Sequence, residues 1–267
     1  MEWICPVCGQ PLAREDRRYV CANRHSFDIA RQGYVNLLAV QQKHSLHPGD
    51  TREQVLSRRE FLEGGFYAPI RDGLCRLAAG ERGPILDVGC GEGYYSTHLA
   101  EMLGAELTGL DISKEAVRCA AAKYKNAGWL CASAAHLPVQ TGAVGLVTSL
   151  FALTVPEEFH RVLRPGGAFI QVLAAEDHLL GLKNIIYPTL TQKEKCSTPV
   201  LPGFALEKSE HVTFSFTVEG AQVQNLLSMT PHVYRISREG AQRLRRTEVL
   251  TDRASCILNL YRRTDGK

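Results

Sequence analysis

The chain has 267 residues, of which 45% are hydrophobic, and it contains 9 Phe and 9 Tyr. This composition excludes a disordered or low-complexity protein, and the length suffices for one large domain and one small domain. A run of about 18 apolar residues, as a membrane span needs, does not occur. The opening residues Met-Glu-Trp-Ile-Cys lack the basic and apolar regions of a signal peptide, so we expect a cytoplasmic protein without a membrane partner.

The charge is distributed unevenly along the chain. The formal net charge is +3, from 31 Lys and Arg against 28 Asp and Glu. Residues 1–60 carry +2 and residues 235–267 carry +5, which leaves −4 on the middle of the chain. Basic surfaces at the two ends either contact nucleic-acid phosphates or serve only solubility, and charge alone leaves both interpretations open.

Four potential metal ligands lie near the start of the chain. Cys5 and Cys8 form a C-x2-C pair, and Cys21 and His25 follow after twelve intervening residues as C-x3-H. Zn²⁺ favours such a Cys3His set, and four protein ligands leave no position for water, so the pattern predicts a structural zinc site. About 30 residues cannot build an adequate core, so metal binding would supply most of the folding free energy of this segment.

Two alternatives to zinc are a chance cluster of thiols and a redox C-x-x-C pair. A redox pair begins a helix in a βαβ setting, whereas Gly9-Gln10-Pro11 follows this one. The remaining six cysteines occupy apolar contexts and are predicted to be reduced core residues. They are Cys75, Cys90, Cys119, Cys131, Cys196 and Cys256.

The segment after the zinc ligands predicts a connection and two helices. Residues 28–38 read as a short ordered piece, and the polar, turn-rich residues 40–50 read as a linker. This linker contains His44 and His47, the alternatives to His25 as the fourth zinc ligand. Thr51 caps a helix that Gly64-Gly65 ends, and a second helix covers residues 67–79. We therefore divide the chain into a zinc-binding domain (1–35), a linker with a helical segment (36–70) and a large domain (71–267).

Apolar strand patterns alternate with helical periods in the large domain. Strands are predicted at 85–88, 105–110, 129–132, 143–150 and 168–174, with helices at 94–103, 114–125 and 156–163. Such alternation predicts an α/β fold whose parallel sheet is covered on both faces. Further on, residues 212–217 predict antiparallel strands, residues 220–229 and 238–246 helices, and residues 255–262 a last strand.

A glycine-rich loop follows the first of these strands. It reads Asp87-Val88-Gly89-Cys90-Gly91-Glu92-Gly93 and lets the backbone approach a ligand at the mouth of the next helix. Tyr94 stands where a dinucleotide fingerprint requires glycine, so the loop suits a cofactor without a pyrophosphate. Asp111, at the end of the second strand, can accept hydrogen bonds from both ribose hydroxyls.

Together with Arg161-Val162-Leu163-Arg164-Pro165-Gly166-Gly167 before a later strand, this loop resembles class I S-adenosylmethionine-dependent methyltransferases. The resemblance implies a Rossmann-like sheet preceded by a small zinc-binding domain of the rubredoxin-like or zinc-ribbon type. It also implies that the loop holds the methionine part, Asp111 the ribose and residues 132–138 the adenine. A Rossmann-like fold with another nucleotide remains the alternative.

Several linker motifs make the resemblance narrower. They are Phe27-Asp28-Ile29-Ala30-Arg31-Gln32-Gly33-Tyr34-Val35-Asn36-Leu37-Leu38, Pro48-Gly49-Asp50, Gly65-Phe66-Tyr67-Ala68-Pro69-Ile70 and Met229-Thr230-Pro231. With the Cys3His module, they resemble the RlmA family, the large-subunit ribosomal RNA guanine-N1 methyltransferases. The resemblance implies methyl transfer from S-adenosylmethionine to N1 of a guanine in a hairpin of 23S rRNA, and a homodimer. In some members this modification contributes to macrolide resistance.

The resemblance also implies site residues. The zinc ligands would be Cys5, Cys8, Cys21 and His25. The cofactor contacts would be Tyr67, Asp87, Gly89, Gly91, Glu92, Gly93, Asp111 and His178. No general base is assigned; the chemically suitable groups are Glu92, His178, Glu176 and Asp177. Residues 149–154 depart from the N-P-P-Y tetrad of amino-group methylators, which favours a ring nitrogen as the target.

Five arginines surround the zinc ligands, namely Arg14, Arg17, Arg18, Arg24 and Arg31. One hypothesis is that this module grips the RNA through phosphates; the other is that it docks on the large domain or forms a dimer interface. A small-molecule methyltransferase and a non-enzymatic RNA- or zinc-binding adaptor remain as alternative functions.

Overall fold

The computed structural model describes residues 1–39, 48–190 and 196–265. Most of the predicted linker, with His44 and His47, lies outside these residues. Within them, each helix is too short or too polar to cross a bilayer.

The N-terminal residues form a small three-stranded antiparallel sheet. Its strands are β1 (Leu12–Glu15), β2 (Arg18–Cys21) and β3 (Ser26–Asp28), in that order across the sheet. Asp16, in the β1–β2 turn, and Arg24, in the loop before His25, both adopt left-handed backbone conformations. These two tight turns bring the chain back on itself, so that the two pairs of zinc ligands meet at one end of the sheet.

The large domain is built on one eight-stranded sheet. Its strands are β4 (Val35–Asn36), β5 (Ile85–Val88), β6 (Leu107–Asp111), β7 (Gly128–Cys131), β8 (Val144–Leu150), β9 (Leu163–Ala174), β10 (Phe204–Glu219) and β11 (Val249–Arg263). The order is β10-β11-β9-β8-β5-β6-β7-β4; β11 pairs antiparallel with β10 and with β9, and the other described pairs are parallel. β5 pairs with β6 on one side and with β8 on the other, so the strand order reverses there. Ligands of open α/β sheets bind at such a reversal.

Eight α-helices accompany the sheets in the described part of the chain. They are α1 (Arg52–Glu63), α2 (Ala68–Leu77), α3 (Tyr94–Leu103), α4 (Lys114–Lys123), α5 (Pro156–Val162), α6 (Leu180–Ile186), α7 (Ala221–Ser228) and α8 (Arg238–Arg245). The predicted cap of α1 is confirmed: the Thr51 hydroxyl accepts a hydrogen bond from the Gln54 amide, and the Gln54 side chain accepts one from the Thr51 amide. The predicted α/β class is confirmed as well.

Four features differ from the sequence prediction. β10 and β11 are far longer than the predicted residues 212–217 and 255–262, because they pair with each other as antiparallel strands over most of their length. β9 begins at Leu163, so the Arg-Pro-Gly-Gly segment predicted to precede the strand lies within it. α6 was not predicted at all, and β4, at the edge of the large sheet, crosses the predicted domain boundary at residue 35.

The core divides into two clusters. One contains Ile70, Leu99 and Val117 from helices α2, α3 and α4. The other contains Phe159 and Val162 of α5, and apolar side chains of the zinc-binding segment pack against it. The segment therefore covers part of a sheet face that would otherwise lie open to water.

Trp3 is the main contact of the zinc-binding segment with the large sheet. Its indole Nε1 donates to Thr108 Oγ1 at 3.3 Å, and its ring packs on Tyr19 with centroids 4.8 Å apart. A Cβ at Gly128 would lie 2.5 Å from the Trp3 ring, so only glycine admits the indole there. These contacts show the zinc-binding segment docked on the large domain, as the second hypothesis for this module expects.

Candidate active site and zinc site

The glycine-rich loop joins β5 to α3 with three left-handed residues. Gly89, Gly91 and Gly93 have φ angles of +81°, +55° and +86°. A Cβ at Gly89 would lie 2.4 Å from Ala152 Cβ, and one at Gly93 would lie 2.6 Å from the Trp129 ring. At Gly91 the nearest atom would be 3.9 Å away, so that position faces open space. The loop is therefore packed tightly at two glycines and leaves room for a ligand at the third.

A cavity of about 320 Å³ lies against this loop, at the carboxyl ends of β5, β6 and β8. This volume falls in the range of small-molecule sites. Its wall includes Asp87, the loop from Gly89 to Glu92, and Asp111, which the sequence analysis assigned to the cofactor. Ala132, Ser133 and Ala134 line it as well, in the region that the resemblance assigned to adenine.

Asp111 is the last residue of β6 and holds the loop in place. Its Oδ2 accepts a hydrogen bond from the Gly91 amide at 2.9 Å, and its Oδ1 accepts one from the Ser113 amide at 2.8 Å. Burial raises the pKa of Asp111, and these two amides oppose the increase. Because a carboxylate has about four acceptor positions, two remain for ribose hydroxyls.

Asp87 lies at the base of the cavity and is 2% exposed. Thr148 donates a hydrogen bond to its Oδ1 at 2.7 Å, yet burial raises the pKa of this carboxyl to about 6. This hydrogen bond joins β5 to β8, where the strand order reverses.

Glu92 is also 2% exposed and lines the cavity. Its Oε1 has no hydrogen-bond partner among the described residues, and burial raises its pKa. The Tyr95 hydroxyl, on the same wall, is likewise buried without a partner in the described chain. Buried polar atoms are rarely left without partners, so both atoms fit a ligand that supplies them. The α-ammonium group of S-adenosylmethionine is a suitable donor for Glu92.

Tyr67 and His178 contact each other beside the cavity. The Tyr67 hydroxyl lies 3.3 Å from His178 Nε2, and the Ser255 amide donates to His178 Nδ1 at 3.1 Å. The two residues lie in the buried core, not among the described residues that line the cavity, with the His178 ring centroid 6.1 Å from that of Phe151 on the wall. Their cofactor contacts therefore remain predictions.

The remaining candidate bases lie farther out. Glu176 is exposed. Asp177 lies 3.5 Å from an Arg253 guanidinium nitrogen, and a hydrogen bond from Ser255 is the main cause that lowers the pKa of this carboxyl. A depressed pKa makes Asp177 a weaker base than an ordinary carboxylate.

Arg58 and Phe151 line the cavity, and neither was predicted as a site residue. Arg58 of α1 lines the cavity and forms an ion pair with Asp50 at 2.6 Å. The sequence does contain a signal for Arg58: Gln54, Arg58 and Leu62 are spaced four residues apart, which places them on one face of α1. Phe151, directly after β8, has a left-handed φ of +54° and is 41% exposed on the cavity wall. No sequence pattern reveals such a conformation in a Phe.

The four predicted zinc ligands converge. Cys8 Sγ lies 3.7 Å from Cys21 Sγ, and His25 Nδ1 lies 3.6 Å from Cys5 Sγ and 3.4 Å from Cys21 Sγ. A zinc tetrahedron with ordinary bond lengths has edges of about 3.5–3.8 Å, so the donor set fits the ion. A backbone hydrogen bond at Gln10 lowers the pKa of Cys8 to about 6, which favours the thiolate that zinc binds. The structural zinc site is confirmed.

Comparison with known proteins gives matches in both parts of the chain. Residues 3–46 match the family model described as "RlmA, N-terminal", and residues 85–167 match a "Methyltransferase domain" model. The chain is 40% identical over 185 residues to the 23S rRNA (guanine(748)-N(1))-methyltransferase of Streptomyces fradiae. That alignment covers 67% of this chain and 65% of the relative, slightly less than two thirds of its length.

Two further relatives extend the comparison. A protein of Micromonospora griseorubida named "Putative 23S rRNA (guanine-N(1)-)-methyltransferase" is 40% identical over 204 residues, covering 67% of each chain. A protein of the same name from Bacillus subtilis, YxjB, is 28% identical over 247 residues and covers 85% of each chain. These alignments cover between 67% and 85% of this chain.

Proposed function

Since this chain belongs to the RlmA family of 23S rRNA guanine-N1 methyltransferases, we propose that it transfers a methyl group from S-adenosylmethionine to N1 of a guanine in a hairpin of 23S rRNA. The observation that carries the proposal is a single chain in which an RlmA-type zinc ribbon docks on a sheet with a G-x-G-x-G cavity. A small-molecule methyltransferase would need the cavity but not the ribbon.

The cavity residues fit this cofactor. When bound, S-adenosylmethionine supplies an electrophilic methyl group on a sulfonium, which a nucleophile displaces in line from about 3 Å. Asp111 would accept the ribose hydroxyls, Glu92 the α-ammonium group, and residues 132–134 would contact the adenine. Asp87, on the wall of the same cavity, stays a predicted cofactor contact.

The acceptor base has to leave its stack, because guanine N1 faces its pairing partner. Phe151 offers an exposed ring on the wall of the cavity, held in a left-handed conformation that the surrounding structure must stabilise. Such strain clusters at functional sites. We propose that the guanine stacks on this ring and loses its N1 proton as the N–C bond forms. No residue is assigned as the acceptor of that proton; Glu92 and His178 stay candidates, and Glu92 could take it only if its carboxylate does not bind the α-ammonium group.

The resemblance also supports a homodimer and a cytoplasmic location, where 23S rRNA is transcribed, and we propose both. Sedimentation of the purified protein tests the first: a dimer mass supports it, and a monomer mass across the concentrations of the assay contradicts it.

A deletion strain tests the proposed activity. Mass spectrometry of its 23S rRNA should show the loss of one N1-methylguanine, and the wild-type gene should restore it. Unchanged rRNA in the deletion strain would contradict the proposal and favour a small-molecule substrate. Calorimetric titration with S-adenosylmethionine separates the adaptor alternative, since an adaptor would not bind the cofactor.

A further inference from the structure

Five arginines are concentrated in a short segment near the end of the chain. Residues 235–246 contain Arg235, Arg238, Arg243, Arg245 and Arg246 against Glu239 alone, which gives a net charge of 5 − 1 = +4. The zinc-binding residues 1–31 also contain five arginines, but four carboxylates reduce their net charge to 5 − 4 = +1. The C-terminal segment is therefore the stronger attractor of phosphates.

Arg238 and Arg245 lie on the outer face of α8, and Arg246 directly follows the helix. Gly240 and Leu244 are buried, and a Cβ at Gly240 would lie 2.2 Å from the Ile186 carbonyl oxygen of α6, so this face packs tightly inward. Arg238 and Arg245, seven positions apart, lie on the opposite face with Arg246, and all three are exposed.

These three guanidinium groups form no ion pair with any residue that the structure describes. Arg262, by contrast, is paired with Glu81 and Glu207. Arg243 donates to the Ile185 carbonyl at 2.7 Å and so has a structural partner. The positive charge on the outer face of α8 is thus not neutralised within the described chain.

The fold places α8 at the edge of the sheet that carries the cavity. β11 runs antiparallel to β9, and Cys256 lies opposite Ala174, the last residue of β9. The first residues of β11, which follow α8 closely, therefore extend past the carboxyl end of β9. The Tyr234 hydroxyl, just before α8, accepts a hydrogen bond from Gln54 at 2.8 Å on helix α1, which also supplies Arg58 to the cavity.

We propose that Arg238, Arg245 and Arg246 form a phosphate-binding surface that holds the RNA backbone beside the cavity. The proposal rests on the proposed function and adds the surface that engages the substrate. Phosphate contacts of this kind position an RNA without reading its sequence.

The test compares two double variants of the full chain for binding to unmodified 23S rRNA transcript. The first is Arg238→Gln with Arg245→Gln. The control is Arg82→Gln with Arg164→Gln, which removes two exposed arginines from the opposite edge, near the start of β5 and β9. The first variant should raise the RNA Kd roughly tenfold and reduce the slope of log K against log salt by about 2, one per lost phosphate contact.

The control variant should retain the wild-type RNA Kd and the wild-type salt slope. The affinity for S-adenosylmethionine should stay unchanged in all of these proteins. The double variant Arg238→Lys with Arg245→Lys should retain most of the affinity, because it keeps the charge. Wild-type Kd and salt slope in the first variant, or equal losses in the control, would overturn the assignment while the proposed function stands. A wild-type protein that does not bind the transcript would overturn both.

Discussion

Substitution of Glu92 should weaken cofactor binding without lowering the stability of the fold. Its carboxylate is buried on the cavity wall with one oxygen unpartnered in the described structure, so its charge destabilises the free protein and is available to a cationic ligand. Glu92→Gln should raise the S-adenosylmethionine Kd by roughly 10- to 100-fold, the loss expected for a hydrogen bond to a charged group. Its melting temperature should be equal to that of the wild type or higher.

Calorimetric titration measures this affinity, and Glu101→Gln, an exposed glutamate on α3, provides the matched control. A Glu92→Gln protein that binds the cofactor as tightly as the control would remove Glu92 from the site.

Asp87 predicts a pH dependence of stability. Burial raises its pKa in the folded protein to about 6, from 3.8. The Asp87 carboxyl therefore ionises at lower pH in the unfolded chain than in the folded protein. As the pH rises from about 4 to about 6, this difference lowers the free energy of unfolding. Asp87→Asn should be more stable than the wild type by a larger margin at about pH 8 than at about pH 5. Urea unfolding at the two pH values measures this; a margin independent of pH contradicts it.

Phe151 tests the stacking proposal. A base stacked on an aromatic ring contributes about 1–3 kcal/mol, so Phe151→Ala should lower kcat/KM for rRNA roughly 10- to 100-fold. Phe151→Tyr keeps the ring and should retain most of the activity. Met102→Ala, which removes another exposed apolar side chain, should have little effect. Steady-state kinetics decide: equal kcat/KM for the alanine and tyrosine variants would exclude stacking.

The zinc ribbon is the element whose stability depends on metal. Its short strands are mostly exposed, so the ion must replace a core. Cys21→Ser should lose the bound zinc, measured as about one equivalent per chain in the wild type, and lower the melting temperature. Cys75→Ser, at a half-buried cysteine outside the site, should keep the metal. Equal zinc content in the two variants would contradict the ligand assignment.

The elements that could be predicted from sequence are those with a local signal. β5, α3 and β8 begin and end within a residue or so of the predicted bounds, because apolar period and glycines mark them. The length of β10 could not be predicted, since much of it is exposed and polar and it is a strand only through pairing with β11. α6 begins after Leu179, in a left-handed conformation and without a side-chain cap, so it has no start signal.

The same distinction holds for the candidate site. The glycine-rich loop directly follows β5, and Asp111 ends β6, so both could be placed at the carboxyl ends of neighbouring strands from the sequence. The structure brings them to one cavity. Arg58 and Phe151 reach it through tertiary packing: the helical spacing assigns Arg58 to a face of α1 but not to the cavity, and no sequence pattern reveals Phe151. Tyr67 and His178 were predicted as contacts by resemblance, and their mutual hydrogen bond could not be inferred from residues 111 positions apart.

The cofactor cavity and the proposed RNA-binding surface lie on one sheet of the whole molecule. The ribbon covers a sheet face through Trp3, the cavity lies at the carboxyl edge, and the arginines of α8 lie at that same edge. An RNA held by α8 can thus present a base to the cavity, while the ribbon stabilises the sheet behind it.

Primer extension on unmodified 23S rRNA, incubated with the purified zinc-loaded protein and S-adenosylmethionine, tests the account most directly. Methylation at guanine N1 blocks base pairing, so reverse transcription should stop at one guanine, and only when protein and cofactor are both present. Full-length extension through every guanine, by a protein that demonstrably binds the cofactor, would contradict the account.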